Sequence, residues 1–368
     1  MAEPSDAPPR GVRLATIGSV PVYLGWSWLL LGLIIVVIMG PPTAARFGPV
    51  TGYGIAAAYA VALLLSVLAH EAAHAFAARA FGHRVHRVVA DLWGGHTAFD
   101  ATHGTAWTAA AIAVVGPLAN ALIGLLAFVG AVLSGSPVVV TLLGGVAFVN
   151  GALALFNLLP GLPLDGGQVV ESLVWAATGD QSRARIIAGW AGRVLVMVIV
   201  ALIIGLPLLR GSSPQLTTTL WTALIGAFLW SGASAAISQG RAMGTIRGLD
   251  VASVLEPAAA IPADAPVAEL TSLRALPVVV DGAGRPFGLI DHDALRSVPP
   301  EAVGSTPVSA VTTPAPEGWS TELHAGREAM DLVVAFQTSR SGIVAVTDQG
   351  VLRGVARAQR VNAALARN

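Results

Sequence analysis

The chain of 368 residues carries 21 basic and 21 acidic side chains, every basic one an arginine, with no cysteine, 54% hydrophobic residues and a mean hydropathy of +0.71. A charged content of 11% is less than half the roughly 25% of an ordinary soluble domain, which excludes a conventional cytosolic enzyme, a disordered chain and a nucleic-acid-binding chain. Without cysteine there is no disulfide, no thiolate nucleophile and no sulfur ligand, so any metal has to be held by histidine and carboxylate.

The charge is unevenly placed. Residues 1–240 hold 18 charged side chains and residues 241–368 hold 24 in about half the length. This predicts a membrane domain over 1–240 followed by a water-facing domain over 241–368. The zero net charge is a cancellation of +4 in the first 247 residues (12 Arg, 8 acids) and −4 in the remainder (9 Arg, 13 acids), and neither part is basic enough for DNA.

Crossing a hydrocarbon core of roughly 30 Å takes about 20 apolar residues in a helix, because backbone polar groups must pair within the segment. Six stretches qualify: Leu24–Met39, Ile55–Ala78, Trp107–Leu133, Val138–Leu159, Ile186–Leu209 and Leu216–Ile237. The first follows Arg10 and Arg13 as a signal peptide would, but its apolar run is long for one and no small-residue cleavage site follows. Outside the spans, nine arginines fall on the side of the N-terminal tail, the second and fourth connections and the exit. Two, Arg46 and Arg210, fall on the other side. The positive-inside rule then places both termini in the cytoplasm. The two halves show no repeat, which weakens a reading as an inverted-repeat transporter.

Between the second and third spans, Val85–Phe99 reads as a β-hairpin, with Val88, Val89 and Ala90 on one arm and Gly94-Gly95 at the turn. After Ile237 the pattern changes to short β-rich runs: 277–282, 287–290, 342–350 and 354–355, with a helical stretch expected over Glu322–Phe336. Two strand-turn-strand units with helices fit a small α/β pair. The stretch from about Gly248 to Ala366 resembles a pair of cystathionine-β-synthase (CBS) domains, the first copy shortened because little helix fits between Ala265 and Pro277.

The second span ends in His70-Glu71-Ala72-Ala73-His74. Residues four apart share a helix face, so both imidazoles can reach one Zn²⁺ while Glu71 sits beside the metal-bound water. Three ionisable side chains within five residues of an apolar helix are costly unless they pair or bind something. A third protein ligand is wanting, and Asp91, Asp100, Asp165, Glu171 and Asp180 are the candidates in the membrane half. Asp165 follows Asn157, Pro160 and Pro163 and precedes Gly166-Gly167, a stretch that breaks the helix and permits close backbone approach.

His70-Glu71-x-x-His74 in one span, with Asn157, Pro160 and Leu164-Asp165-Gly166 in another, resembles the site-2 protease family of intramembrane zinc metalloproteases. Further segments agree: Gly18–Val22 with Trp26-Ser27-Trp28 before the first helix, Gly94-Gly95 in the hairpin, Gly116-Pro117 with Asn120 in the third core helix, and Asn150 with Phe156-Asn157. With the C-terminal CBS-like pair, the chain resembles the CBS-bearing bacterial branch. The resemblance implies one Zn²⁺ per chain held by His70, His74 and Asp165, with Glu71 as general base and Asn157, then Asn120, beside the tetrahedral oxyanion. It also implies a bacterial cell-membrane protein, a single-span membrane-protein substrate such as an anti-sigma factor or a membrane-bound precursor, and regulation or dimerisation through the CBS pair. The rival is a CBS-bearing transporter whose intramembrane His and Asp bind the transported ion. Where adenosine-binding CBS modules place Ser/Thr and Asp, this chain has Asp291 and Ala294 in one copy and Arg357 and Arg360 in the other, so weak or absent adenosine binding is expected.

The expected fold is therefore an α-helical polytopic membrane protein of about six transmembrane helices with a small membrane-associated β-hairpin, followed by a C-terminal α/β CBS pair.

Overall fold

A computed structural model describes residues 11–17, 20–91, 94–99 and 104–367, with the side chains of 17, 91 and 94–99 left aside. Gly18, Ser19, Asp100 and His103 lie outside the described residues, as do the side chains of Asp91 and His96. The chain divides into two compact units, Met1–Arg241 and Ala242–Asn368.

The first unit opens with two strands, β1 (Gly11–Ile17) and β2 (Val20–Gly25), before any helix. The sequence expectation began the first span at Leu24. Leu24 is instead a β2 residue, because Val20 and Val22 alternate toward an apolar core and extend the strand to Gly25. Helix α1 (Trp26–Phe47) and helix α2 (Pro49–Ala80) are joined through Gly48 alone. Gly48 has φ +83°, a conformation glycine adopts freely, and Pro49 sits in the first turn of α2, where its missing N–H is not needed.

Strands β3 (Val85–Asp91) and β4 (Gly94–Phe99) form the expected antiparallel hairpin, but within a larger sheet. Its order is β1-β2-β3-β4, with β2 and β3 parallel, so β4 is an edge. Val20, Val22 and Val88 bury one face of the sheet with Ala75 of α2, on the helix that carries the histidines.

Helix α3 (Ala106–Leu133) starts at a reciprocal Thr105/Thr108 capping box, and helix α4 (Pro137–Asn157) follows. A turn over residues 158–164 leads into helix α5 (Asp165–Thr178), which ends at the left-handed Gly179. Asp180 caps helix α6 (Gln181–Val200) by accepting from the backbone N–H groups of Ser182 and Arg183. A π-helical turn, Ala201–Gly205, connects α6 to helix α7 (Leu206–Leu209). Pro207 supplies no N–H and its ring displaces the carbonyl four residues back, which accounts for the irregular turn there. Helix α8 (Leu216–Arg247) completes the set. Among the described residues, six helical segments are long and apolar enough to cross a membrane: Trp26–Phe47, Pro49–Ala80, Ala106–Leu133, Pro137–Asn157, Gln181–Leu209 and Leu216–Arg247. Their exposed leucines, valines and phenylalanines, such as Leu126, Phe148 and Leu155, form the outer surface that a bilayer covers. The chain is a multi-pass membrane protein.

The second unit contains helix α9 (Val251–Val254) and strands β5 (Leu255–Glu256), β6 (Ala258–Pro262), β7 (Leu276–Val280) and β8 (Pro286–Ile290). Helix α10 (His292–Arg296), strands β9 (Thr312–Pro314) and β10 (Ser320–Glu322), helix α11 (Glu328–Ser339), strands β11 (Ile343–Asp348) and β12 (Val351–Arg357) and helix α12 (Ala358–Leu365) follow. The helix expected from Glu322 begins only at Glu328, since Glu322 ends β10 and Gly326 turns the chain at φ +79°. As expected, only a 3-10 turn, Val267–Ser272, occupies the stretch between Ala265 and Pro277.

Two four-stranded sheets result, ordered β6-β7-β8-β9 and β10-β11-β12-β5. Each has a parallel pair, then two antiparallel contacts. The short strand that completes each sheet comes from the segment preceding the other one. Arg357 and Arg360 both approach Glu256, at 2.9 and 3.6 Å, and the Arg357 hydrogen bond above all holds the half-buried Glu256 carboxyl below its ordinary range.

Candidate metal centre

His70, Glu71 and His74 are all buried on α2, and Asp165 is buried in the first turn of α5. His70 Nε2 lies 3.1 Å from Asp165 Oδ2, His74 Nε2 lies 3.5 Å from the same oxygen, and the two Nε2 atoms are 3.0 Å apart. His74 Nδ1 is 2.7 Å from the carbonyl of Ile112, an acceptor, so Nδ1 carries the proton and the neutral ring turns a lone pair inward at Nε2. Facing a lone pair with a carboxylate oxygen and a second imidazole nitrogen is unfavourable without a cation between them.

Ligands at 2.0–2.1 Å in a tetrahedral site are separated by about 3.3 Å, and the three edges here bracket that value. Two imidazoles and one carboxylate with a fourth position left for water is the donor set of a catalytic zinc site. The residues fit the ion. The three form a metal-competent group with all ligand atoms within 4.8 Å of one another.

Helix α3 closes the site from another side. A Cβ on Gly116 would lie 2.6 Å from His70 Nε2 and closer still to His74 Nε2, so glycine is the residue that lets α3 cross there. The next residue, Pro117, denies α3 a backbone hydrogen bond in the turn that also supplies the Ile112 carbonyl. The Gly116-Pro117 pair thus gives both the clearance for the imidazoles and a loosened turn whose carbonyl orients one of them.

Asp165 is aimed by the turn before it. The turn folds back on α5 so closely that a Cβ on Gly166 would meet the carbonyl of Leu158, and one on Gly167 would meet the backbone of Gly161 and Leu162. Leu162 N–H donates to Ala188 O at 3.2 Å, and Gly161 lies against Gly192, which ties the turn to α6. A side chain at any of these glycines would displace the carboxylate.

Of the other acids proposed as ligands, the two whose side chains are described are committed elsewhere. Glu171 is paired with Arg185 at 3.2 Å, and Asp180 caps α6. Asn120, fully buried one turn beyond Gly116, has an Oδ1 without a hydrogen-bond partner. Asn157 is only half-buried at the end of α4. Asn150, for which the sequence suggested no role, is fully buried and donates to Ser66 Oγ and Val146 O, both at 2.9 Å, fastening α4 to α2 one turn before His70. An asparagine in the middle of an apolar helix is the signal that finds it.

A multi-pass helical unit with a buried His₂Asp group defines the class, that of membrane-embedded proteins with a catalytic-type metal site. The model of peptidase family M50 matches residues 58–143 and 136–202. The site-2 protease resemblance is thereby borne out. Relatives bearing zinc-metalloprotease names include sll0528 of Synechocystis sp., 33% identical over 61% of this chain and 59% of its own. Another is Rip3 of Mycobacterium tuberculosis, 37% identical over 60% and 57%. The chain spans under three-fifths of the length of these two relatives. The site-2 protease from Methanocaldococcus jannaschii is similar over 62% of this chain and 95% of its own, at 22% identity and a TM-score of 0.43.

Proposed function

We propose that the chain is an intramembrane zinc endopeptidase that hydrolyses peptide bonds in or near the transmembrane segment of single-span membrane proteins. The observation that carries this reading is the convergence of His70 Nε2, His74 Nε2 and Asp165 Oδ2, with Glu71 buried on the same apolar helix. A zinc ion held by His70, His74 and Asp165 would lower the pKa of a bound water toward about 7 and would polarise a carbonyl. Glu71, next in sequence to one ligand, takes the proton from the attacking water and returns it to the leaving amine. His74, held at Nδ1 by the Ile112 carbonyl, would present Nε2 to the ion. Asn157 and Asn120 are the proposed partners of the oxyanion, to which their amide N–H groups would donate. Strand β4, an edge of its sheet, offers backbone groups to an extended substrate.

Substrates of the anti-sigma-factor or membrane-precursor kind, and residence in the bacterial cell membrane, are part of the same proposal. In cells that differ only in carrying wild type or Glu71→Gln, shortened single-span proteins are expected in the first and their uncut forms in the second. Identical membrane-protein fragments in both would refute it.

The arginine distribution further supports a site that opens to the cytoplasm, with both termini there. Arg84→Cys in this cysteine-free chain provides the test. A membrane-impermeant maleimide is expected to label it from the cytoplasmic side of inverted vesicles and not in intact cells, and the opposite pattern would reverse the topology. The two-sheet second unit is proposed to be a CBS pair that modulates cleavage or joins two chains. Glu256 engages the two arginines that stand at the ribose-binding positions, which favours weak adenosine binding.

A further inference from the structure

Arg193 lies twelve residues into α6, well inside the fifth apolar segment. Its guanidinium carbon stands 4.8 Å from the ring centroid of Trp190 and 4.9 Å from that of Trp230, so it is held between two indoles of neighbouring helices. One Nη donates to Ser234 Oγ at 3.0 Å, while the Ser234 hydroxyl donates onward to the Trp230 carbonyl at 2.6 Å. Arg193 Nε is buried and has no acceptor, and among the described residues no carboxylate lies within 4 Å of the guanidinium. A group with five N–H donors thus has one neutral acceptor.

Such a cation inside an apolar segment calls for an anion. Trp190 and Trp230 are 46% and 41% exposed, and Val194 and Met197 beside them are half exposed, so the open side of this cage faces lipid rather than the metal site. Helical side chains lean toward the helix N-terminus, here the end bearing Arg183 and Arg185. On α8, Ser234 is one turn from the polar Ser238-Gln239 that precedes Arg241. The guanidinium therefore reaches toward the headgroup zone where tryptophans collect.

We propose that Arg193, Trp190, Trp230 and Ser234 form a binding site for the phosphate of an anionic phospholipid in the leaflet on the Arg183/Arg185/Arg241 side. Two phosphate oxygens match the paired N–H groups of the guanidinium, and the indoles flank the glycerol region. The site is independent of the proposed peptidase chemistry, since none of its residues is a metal ligand.

Native mass spectrometry of the full chain in detergent, titrated with phosphatidylglycerol, with phosphatidylcholine and with inorganic phosphate, tests this. Wild type is expected to bind phosphatidylglycerol about fivefold more tightly than phosphatidylcholine. Arg193→Gln should remove that preference, and Arg193→Lys should keep part of it. If Arg193→Gln does not fold, Trp190→Leu with Trp230→Leu replaces it and should lower the preference likewise. Equal phosphatidylglycerol binding by wild type and a folded variant would overturn the proposal. Displacement of the lipid by millimolar inorganic phosphate would overturn it too, by marking a soluble-anion site.

Discussion

Glu71→Gln should retain a full equivalent of zinc and lose roughly 10²–10⁴-fold in the rate of peptide hydrolysis. The glutamine is close to isosteric, and the three ligand atoms come from His70, His74 and Asp165, none of which it replaces. What would disappear is the carboxylate proposed to accept the water proton. Zinc content by plasma mass spectrometry, alongside cleavage of a transmembrane-segment peptide in detergent, separates the two effects. Undiminished cleavage would remove Glu71 from the mechanism, and lost zinc would show that it holds the metal.

Asp165→Ala should do the reverse and weaken zinc binding by more than the 10–100-fold typical of losing an outer-shell partner. Gly116→Ala should behave similarly without touching a ligand, because its methyl would occupy the space of both Nε2 atoms. The pair distinguishes a metal site from a plain buried ion pair. In a plain ion pair, Asp165→Ala leaves two neutral histidines in a helix that tolerates them. In a metal site, both variants lose the ion while α2 stays folded. Competition with a chromogenic chelator, with circular dichroism as the folding control, reads both. Wild-type zinc affinity in either variant would contradict the assigned geometry.

The six spans and the His70/Glu71/His74 cluster were legible in the sequence because both rest on local rules, apolar length and the four-residue spacing of one helix face. Asp165 was named on the motif it shares with a family, while composition left five acids open. What separates it from Glu171 is an Arg185 partner on the next helix, and from Asp180 a local role as the cap of α6, which emerges only once that helix start is placed. Strands β1 and β2 were missed because short alternating runs beside a long apolar span merge with it, and the sheet that β2 joins is completed by β3, some sixty residues later. Arg193 was passed over because arginines were counted outside the spans, where they report orientation. Inside one, a cation needs partners that only the packing of α6 on α8 supplies.

The exchange of short strands in the second unit has a mechanical side. Strand β5 precedes one half yet pairs with β12 of the other, and β9 pairs back with β8. Neither half can peel away without breaking a ladder in its neighbour, so the two are expected to melt together. A truncation ending near residue 305 would strip β8 of its outer partner and leave β5 without β12. Such a fragment carries two raw sheet margins open to self-association. A strain imposed at one half is handed on through the backbone itself, without a hinge to absorb it.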